Sequence, residues 1–253
     1  MITKKIIILL ILISLIIIPS ACTTNEPIKI GFLGTVSGPF NDLGINGKHG
    51  VDLAVKEINE AGGVNGKSIL IVVKDTLNDT EIVKKRVNEF LEENVQIVIG
   101  EFTSAFMMVA LEADINNEIL FLSPTAAADS FVGLDDNLIR FIGSTSMQAD
   151  AIFSQAQKNE DKVFAIIKNT DNTAFANPLG ERFVSNIKSE NGEVILEEYI
   201  SSSELSKIDK TIEDLGNYEN LDGLLLISDA LSTIKFIQKI KDSNLDCNIY
   251  TPL

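Results

Sequence analysis

One short segment has the residue types of a phosphate-binding loop. Residues 61–68 read Ala-Gly-Gly-Val-Asn-Gly-Lys-Ser, which fits a small residue, four further residues and then Gly-Lys-Ser. In enzymes with such a loop, backbone N–H groups and the lysine hold the phosphates of a nucleotide. This chemistry requires a strand before the loop and a helix after it, because a helix N-terminus supplies the N–H groups.

The sequence around this loop predicts the opposite order of elements. Gly62 and Gly63 end a predicted helix, and the apolar run of residues 68–75 predicts a strand after the loop. The helix is indicated by apolar residues at helical spacing, namely Val51, Ala54, Val55 and Ile58. We therefore interpret the segment as a turn from helix to strand. A nucleotide-binding enzyme stays a rival hypothesis, which ATP binding lost in Lys67→Ala would support.

No other set of residues predicts catalysis, a metal or a cofactor. His49 is the single histidine, so neither a histidine metal cluster nor a Ser–His relay is available. Of the two cysteines, Cys22 lies near the N-terminus and Cys247 is expected to pack as a small apolar residue. The net charge of −15 argues against a nucleic-acid surface, which needs clustered lysine and arginine. We predict a protein that is not an enzyme.

The first 22 residues have the pattern of an export signal. Two lysines, Lys4 and Lys5, precede an apolar run over residues 6–18, which is shorter than the roughly 20 residues of a membrane-spanning helix. The small residues before Cys22 are similar to a lipoprotein signal, although Pro19 stands where leucine is usual. We predict a protein outside the cytoplasmic membrane, anchored by lipid at Cys22. A simple cleaved signal is the alternative.

Strand and helix patterns alternate along the rest of the chain. Predicted strands cover residues 28–36, 68–75, 95–100, 118–124, 137–143, 162–168, 192–200 and 222–228, with a short last strand near 247–252. Predicted helices lie between them, at residues 48–63, 78–93, 103–117, 147–158, 175–190, 204–216 and 230–243. Asn78 with Glu81 is typical of a capping box, and Thr103 or Ser104 is expected to cap the third helix.

This alternation predicts an α/β fold with parallel sheets covered by helices. So many units exceed what one sheet usually holds, so we predict two doubly wound lobes, at residues 23–143 and 144–253. In such sheets a ligand binds at the carboxyl ends of the strands, and a cleft between two lobes adds a second wall.

Four segments carry a family resemblance. They are residues 28–75, "VIGEFTS" (98–104), "FLSPTAAADS" (121–130) and "FIGSTSMQ" (141–148). In order and spacing they resemble the substrate-binding lipoproteins of branched-chain amino-acid ABC transporters, the leucine/isoleucine/valine-binding family. The resemblance implies a type I periplasmic-binding fold, whose two lobes close on a small ligand. It also implies three partners: an amino acid or related amide or carboxylate, an ABC permease, and the membrane through the lipid anchor.

The resemblance also implies a ligand site in the first lobe. Ser104, with Thr103 beside it, matches the position that holds the ligand carboxylate at a helix start. Backbone groups around Thr125 match the contact loop, where a carbonyl faces the ligand ammonium. Ala127 stands where the family usually has a threonine, so its N–H remains but the hydroxyl is lost. The alternative for Ser104 is a cap alone, and the two roles are compatible.

Other expected contacts depart from the family pattern. Leu43 replaces a usual aromatic residue in the first loop, and Phe175 replaces a usual tyrosine in the second lobe. Both have the alternative of plain packing residues. Asp229 matches a frequent ligand contact after a strand, and its alternative is a cap on the helix at 230–243.

Family members continue beyond the position of Leu253, with an acidic residue for the ligand ammonium and a return to the first lobe. We therefore expect either a chain truncated at its C-terminus or an abbreviated pair of lobes. The altered pocket leaves a second hypothesis open, a ligand-sensing or interaction lobe of the same fold without a role in transport.

Overall fold

The computed structural model describes residues 26–38, 41–134, 136–204 and 206–252. The predicted export signal and Cys22 lie outside these residues. The strands are β1 (Ile28–Gly34), β2 (Ile69–Asp75), β3 (Ile97–Ile99), β4 (Leu120–Ser123), β5 (Leu138–Arg140), β6 (Val163–Asn169), β7 (Glu193–Ile200), β8 (Gly223–Ile227) and β9 (Asn248–Tyr250). The helices are α1 (Asp42–Glu60), α2 (Thr80–Glu92), α3 (Ser104–Ala113), α4 (Thr145–Lys158), α5 (Thr173–Ser189), α6 (Lys207–Leu215) and α7 (Ala230–Lys241).

The strands form two separate parallel sheets, as the alternating pattern predicts. The first sheet has the order β2-β1-β3-β4-β5 and the second has the order β7-β6-β8-β9. All strand pairs run parallel, for example β1 with β2 from Ile28 opposite Ile69 to Gly34 opposite Asp75. Each sheet and its helices form one lobe, so the prediction of two parallel-sheet α/β lobes is confirmed.

Each lobe has its own apolar core. In the first lobe, α2 and α3 pack on one face of the sheet, around Phe90, Met107 and Phe121. In the second lobe both faces of the sheet are covered. Alternate residues of β6 point to opposite faces, so Phe164 joins the core under α4 and α5 while Ala165 joins the core under α6 and α7.

Helix α1 lies very close to the first sheet where β1 and β3 end. A Cβ atom added to Gly44 would lie 1.9 Å from the carbonyl oxygen of Thr35, and one added to Gly47 would lie 2.2 Å from the ring of Phe102. Only glycine permits this approach. The first loop of the lobe, between β1 and α1, is thereby held against the carboxyl ends of the strands.

The capping prediction for α2 was wrong by one residue. Asp79 rather than Asn78 precedes the helix, and its carboxylate accepts hydrogen bonds from the N–H groups of Glu81 and Ile82. Asn78 instead has a positive φ of 57°, a conformation that asparagine tolerates in turns. The sequence pattern located the turn before α2 correctly, but not the residue whose side chain caps the helix.

The phosphate-loop candidate is a turn, as the sequence predicts. Helix α1 ends at Glu60 and strand β2 begins at Ile69, so the loop follows a helix and precedes a strand. Lys67 pairs across the turn with Val64 through backbone hydrogen bonds, and its side chain is exposed. None of the helices within the described residues combines the length and apolar character that a membrane span needs.

Candidate functional site

The candidate site lies where the carboxyl ends of the first-lobe strands meet the start of α3. Thr103 precedes this helix with extended backbone angles, and its hydroxyl accepts a hydrogen bond from the N–H of Phe106 at 3.4 Å. The first N–H groups of a helix have no acceptor within the helix and carry partial positive charge. This end of α3 is therefore suited to a negatively charged group.

Ser104 is the first residue of α3, and its side chain is fully enclosed, with 1% of the residue exposed. Its Oγ accepts hydrogen bonds from the N–H groups of Ala127 and Ala128, each at 3.1 Å. A serine hydroxyl has two lone pairs and one proton. Both lone pairs are used here, and the O–H remains as a hydrogen-bond donor. The sequence left the Ala127 N–H available to a ligand, whereas in this structure it donates to Ser104.

The loop after β4 is tied to the segment between β3 and α3. The Ser123 hydroxyl donates to the carbonyl of Glu101 at 2.6 Å and accepts from the N–H of Ala126 at 3.1 Å. The Thr125 hydroxyl donates to the carbonyl of Phe102. These bonds hold the predicted contact loop beside the start of α3, so the structure brings Thr103, Ser104, Thr125 and Ala127 together.

The other predicted contacts lie on different elements. Leu43 is in the first turn of α1 and is 44% exposed. Phe175 is in the first turn of α5, partly buried, and packs against the second-lobe core.

Asp229 caps α7 in the structure. Its carboxylate accepts the N–H of Ser232 at 2.9 Å and the hydroxyls of Ser202 and Ser232 at 2.6 and 2.5 Å. Burial opposes its ionisation, but these hydrogen bonds outweigh burial and hold the pKa of Asp229 below its usual range. This is the capping alternative that the sequence left open.

The two lobes contact each other at the starts of α3 and α5. The N–H of Ala105, in the first turn of α3, donates to the side-chain oxygen of Asn172 at 3.3 Å. Asn172 is the residue that precedes α5. Sequence reasoning did not single it out, and the available signal was an asparagine three positions before the predicted helix at 175–190.

A buried carboxyl group lies at the same end of the first sheet. Glu101 is 2% exposed, and its Oε2 accepts from the N–H of Phe102 at 3.3 Å, while no partner of Oε1 is found among the described residues. Burial raises the pKa of Glu101 to about 7, against smaller opposing effects of hydrogen bonds from Thr76 and Phe102, and the charge of Asp75 adds to the increase. Sequence reasoning missed this residue, because nothing in the sequence shows that this loop is enclosed.

Asp75 fixes the first loop of the lobe. Its Oδ1 accepts from the N–H groups of Val36 and Leu77 at 3.1 and 3.0 Å, and its Oδ2 accepts from the hydroxyl of Ser37. Burial opposes ionisation of this carboxyl, but the hydrogen bonds from Ser37, Leu77 and Val36 prevail and lower its pKa. Within the residues that the structure covers, no group of three or more His, Cys, Asp or Glu side chains is arranged to hold a metal.

Two parallel α/β lobes that meet at the starts of α3 and α5 have the type I periplasmic-binding fold. The chain belongs to the periplasmic binding protein family, whose family model matches residues 27–253.

Curated relatives share about a quarter of the aligned residues. The Leu/Ile/Val-binding protein BraC3 of Rhizobium johnstonii is 28% identical over 162 residues, which cover 63% of this chain and 43% of that protein. The leucine-, isoleucine-, valine-, threonine-, and alanine-binding protein of Pseudomonas aeruginosa is 29% identical over 144 residues, covering 56% of this chain and 39% of that protein. The match thus spans less than half the length of these relatives.

Solved structures show the same fold. The substrate-binding protein LivJ from Streptococcus pneumoniae, in complex with isoleucine, superposes with a TM-score of 0.81 at 23% identity, covering 89% of this chain and 64% of that chain. A solute-binding protein from R. palustris, in complex with benzoate, has a TM-score of 0.75 at 20% identity, covering 90% of this chain and 62% of that chain.

Proposed function

We propose that this protein is an extracytoplasmic solute-binding protein, which delivers a small molecule to an ABC importer by closure of its two lobes. The preferred ligand class is an amino acid or a related amide or carboxylate. The observation that carries the proposal is the start of α3, where Ser104 retains an O–H donor at the positive end of the helix. Membership of the periplasmic binding protein family supports it.

The ligand carboxylate would be held by the first lobe. The Ser104 hydroxyl donates one hydrogen bond, and the start of α3 adds positive potential. The N–H groups of Ala105 and Phe106 are already bonded to Asn172 and Thr103, so they act through this potential and not as direct donors. The bonds from Ala127 and Ala128 fix the Ser104 oxygen, so the direction of its O–H is set before the ligand arrives. Since residue 127 is alanine, this position offers no hydroxyl to the carboxylate.

The remaining contacts would come from both lobes. The backbone carbonyl near Thr125 would accept from a ligand ammonium, and Leu43 and Phe175 would supply apolar walls. Asp229 would act through the α7 start that it caps. Contacts that form only when both lobes meet the ligand shift the population toward the closed form. The ABC permease would then recognise that form, with the protein held at the membrane by lipid on Cys22 and needing no cofactor.

Ligand-dependent thermal stability tests the proposal. In a fluorescence melting experiment with a panel of amino acids, amides and aromatic carboxylates, we expect at least one compound to raise the midpoint. A ligand at 100 times its Kd stabilises the folded state by about 2.7 kcal/mol. Where that compound carries a carboxylate, its amide or ester should bind more weakly, because the derivative lacks the negative charge. A flat response across the whole panel would count against the proposal.

The replacements at the predicted pocket favour one alternative, a ligand-sensing or interaction lobe without a transport role. Ala127 and Leu43 remove a hydroxyl and an aromatic ring from positions that the family resemblance makes ligand contacts. A transport assay with the permease reconstituted in vesicles separates the two functions. Uptake that depends on this protein supports delivery, whereas ligand binding without uptake supports sensing.

A further inference from the structure

Asn172 stands at a helix start but does not cap its helix. It precedes α5 with φ −135° and ψ 61°, and its side chain makes no capping hydrogen bond. Asparagine is among the most favourable capping residues, and a cap contributes about 1 kcal/mol to helix stability. Other helices of this protein use theirs, through the side chains of Asp79, Thr103, Ser144 and Asp229. The Asn172 side chain is therefore engaged in something other than the local helix.

Its side-chain oxygen is bonded to the other lobe. Asn172 Oδ1 accepts the N–H of Ala105 at 3.3 Å, across 67 positions of the chain. Elsewhere, hydrogen bonds between the lobes involve the first turn of α4, where Thr145 and Ser146 bond to Ala127 and Asp129. That turn lies next to the connection between the lobes, whereas Asn172 is reached only after β6. Its bond therefore depends on how closely the lobes approach.

The loop that carries Asn172 is held in place by hydrogen bonds within the second lobe. The N–H of Asp171 donates to Asn169 Oδ1 at 2.5 Å, and the Asp171 carboxylate accepts the N–H of Ser202 at 2.8 Å and the hydroxyl of Ser201 at 2.9 Å. Burial disfavours the charged form of Asp171, but the hydrogen bonds from Ser202 and Ser201 more than compensate and lower its pKa. The loop is held to the segment after β7, so the Asn172 side chain is presented to the first lobe in a defined position.

We propose that Asn172 is a closure latch, which stabilises the closed arrangement of the lobes by accepting the Ala105 N–H at the start of α3. The contact lies next to Ser104, so it forms at the end of the helix that the proposed function assigns to the ligand carboxylate. The latch and the ligand thus stabilise the same closed form. Its effect on ligand affinity rests on the proposed function, but its effect on lobe closure does not.

The variant Asn172→Ser separates the latch from the helix cap. Serine caps helices as well as asparagine does, but its side chain is shorter and does not reach Ala105. We expect an unchanged or higher melting temperature, faster hydrogen exchange at the Ala105 amide and a larger radius of gyration in the absence of ligand. A single hydrogen bond corresponds to roughly a two- to tenfold change in the closed population.

Two further variants serve as controls. Asn217→Ser makes the same substitution at an exposed site of the second lobe, where the side chain donates to the carbonyl of Glu213 and to no other described residue. It should leave exchange at Ala105 and the radius of gyration unchanged. Asn172→Asp keeps an acceptor and adds negative charge beside the helix start, so exchange at Ala105 should slow, more so at low salt.

Hydrogen exchange measured by NMR and the radius of gyration measured by small-angle X-ray scattering test the latch on the full chain without any ligand. Equal exchange at Ala105 and an equal radius of gyration in wild type and Asn172→Ser would overturn it. Calorimetry with L-leucine as the probe measures the effect on ligand affinity, and we expect roughly two- to tenfold weaker binding in Asn172→Ser. If wild type does not bind leucine, that result bears on the ligand alone, and the ligand-free measurements still decide the latch.

Discussion

The carboxyl group of Glu101 lies among polar residues at the ends of β1 and β2, where it is enclosed by protein. Removal from water favours its neutral form, and the nearby charge of Asp75 acts in the same direction. The pKa of about 7 lies above the value of 4.5 for a free glutamate. The folded state therefore holds a proton more tightly than the unfolded state.

The sign of the pH dependence follows from this difference. Below pH 4.5 Glu101 is neutral in both the folded and the unfolded state, so its burial does not reduce stability. As the pH rises from 4.5 through about 7, the unfolded state releases the proton more readily, and the free energy of unfolding falls. We expect Glu101→Gln to be more stable than wild type at pH 8, by about 3 kcal/mol, and close to wild type at pH 4. Urea unfolding at several pH values measures this. The exposed Glu57→Gln is the control, and an equal gain in that variant would contradict the assignment to burial.

Ser104 predicts a second effect at the scale of one residue. Its oxygen is the acceptor of the Ala127 and Ala128 N–H groups, so Ser104→Ala leaves two buried donors without a partner. We expect a loss of about 1–3 kcal/mol in the free energy of unfolding, measured by urea titration. Ser130→Ala removes an exposed hydroxyl and should stay near wild type. A Ser104→Ala variant of unchanged stability would show that these N–H groups find other acceptors.

At the scale of elements, helix starts determine the polar architecture. Thr103 caps α3 beside the contact between the lobes, Asp79 caps α2 at the same end of the first sheet, and Asp229 caps α7 in the second lobe. Parallel strands place all following helix starts at one edge of a sheet, so N–H groups of several helices converge there. This arrangement is the physical basis of the proposed anion site in a protein whose net charge is −15.

The cap of α2 gives a prediction at this scale. Asp79→Ala removes the acceptor for the N–H groups of Glu81 and Ile82, which lie 2.8 and 3.0 Å from its oxygen. We expect a loss of about 1 kcal/mol in the free energy of unfolding. Asp79→Ser retains a capping oxygen and should recover most of this loss. Equal stabilities of the alanine and serine variants would exclude capping as the cause.

At the scale of the whole molecule, the two lobes have separate cores joined by few contacts. Phe183 is fully buried in the second lobe, with its ring centroid 5.1 Å from that of Phe164. Phe121 is fully buried in the first lobe. Because no apolar core spans both lobes among the described residues, damage to one lobe is expected to remain in that lobe.

Matched cavity variants test this independence. Phe183→Ala and Phe121→Ala should each lose about 3–5 kcal/mol of stability. In hydrogen exchange measured by mass spectrometry, each variant should lose protection mainly in its own lobe. A uniform loss across both lobes in either variant would show that the molecule unfolds as a single cooperative unit.

Much of the fold followed from local sequence patterns. The runs of apolar residues located each strand within a few residues, and the alternation with helices indicated parallel sheets. The sequence did not fix the start of α2 to one residue, because Asn78 and Asp79 have similar capping chemistry. The backbone conformation makes Asp79 the cap and places Asn78 in the preceding turn. The sequence likewise left two roles for Asp229, because a carboxylate that follows a strand can cap the next helix or contact a ligand.

The sequence by itself determined the periodic pattern of buried residues, and through it the two parallel-sheet lobes. Only the tertiary structure decided which polar groups meet. Ser104 bonds to residues 23 and 24 positions away, Asn172 bonds to a residue 67 positions away, and Glu101 is enclosed by distant parts of the first lobe. Side-chain periodicity is a local property of the chain, whereas hydrogen-bond partners and burial depend on distances that exist only after the lobes have packed.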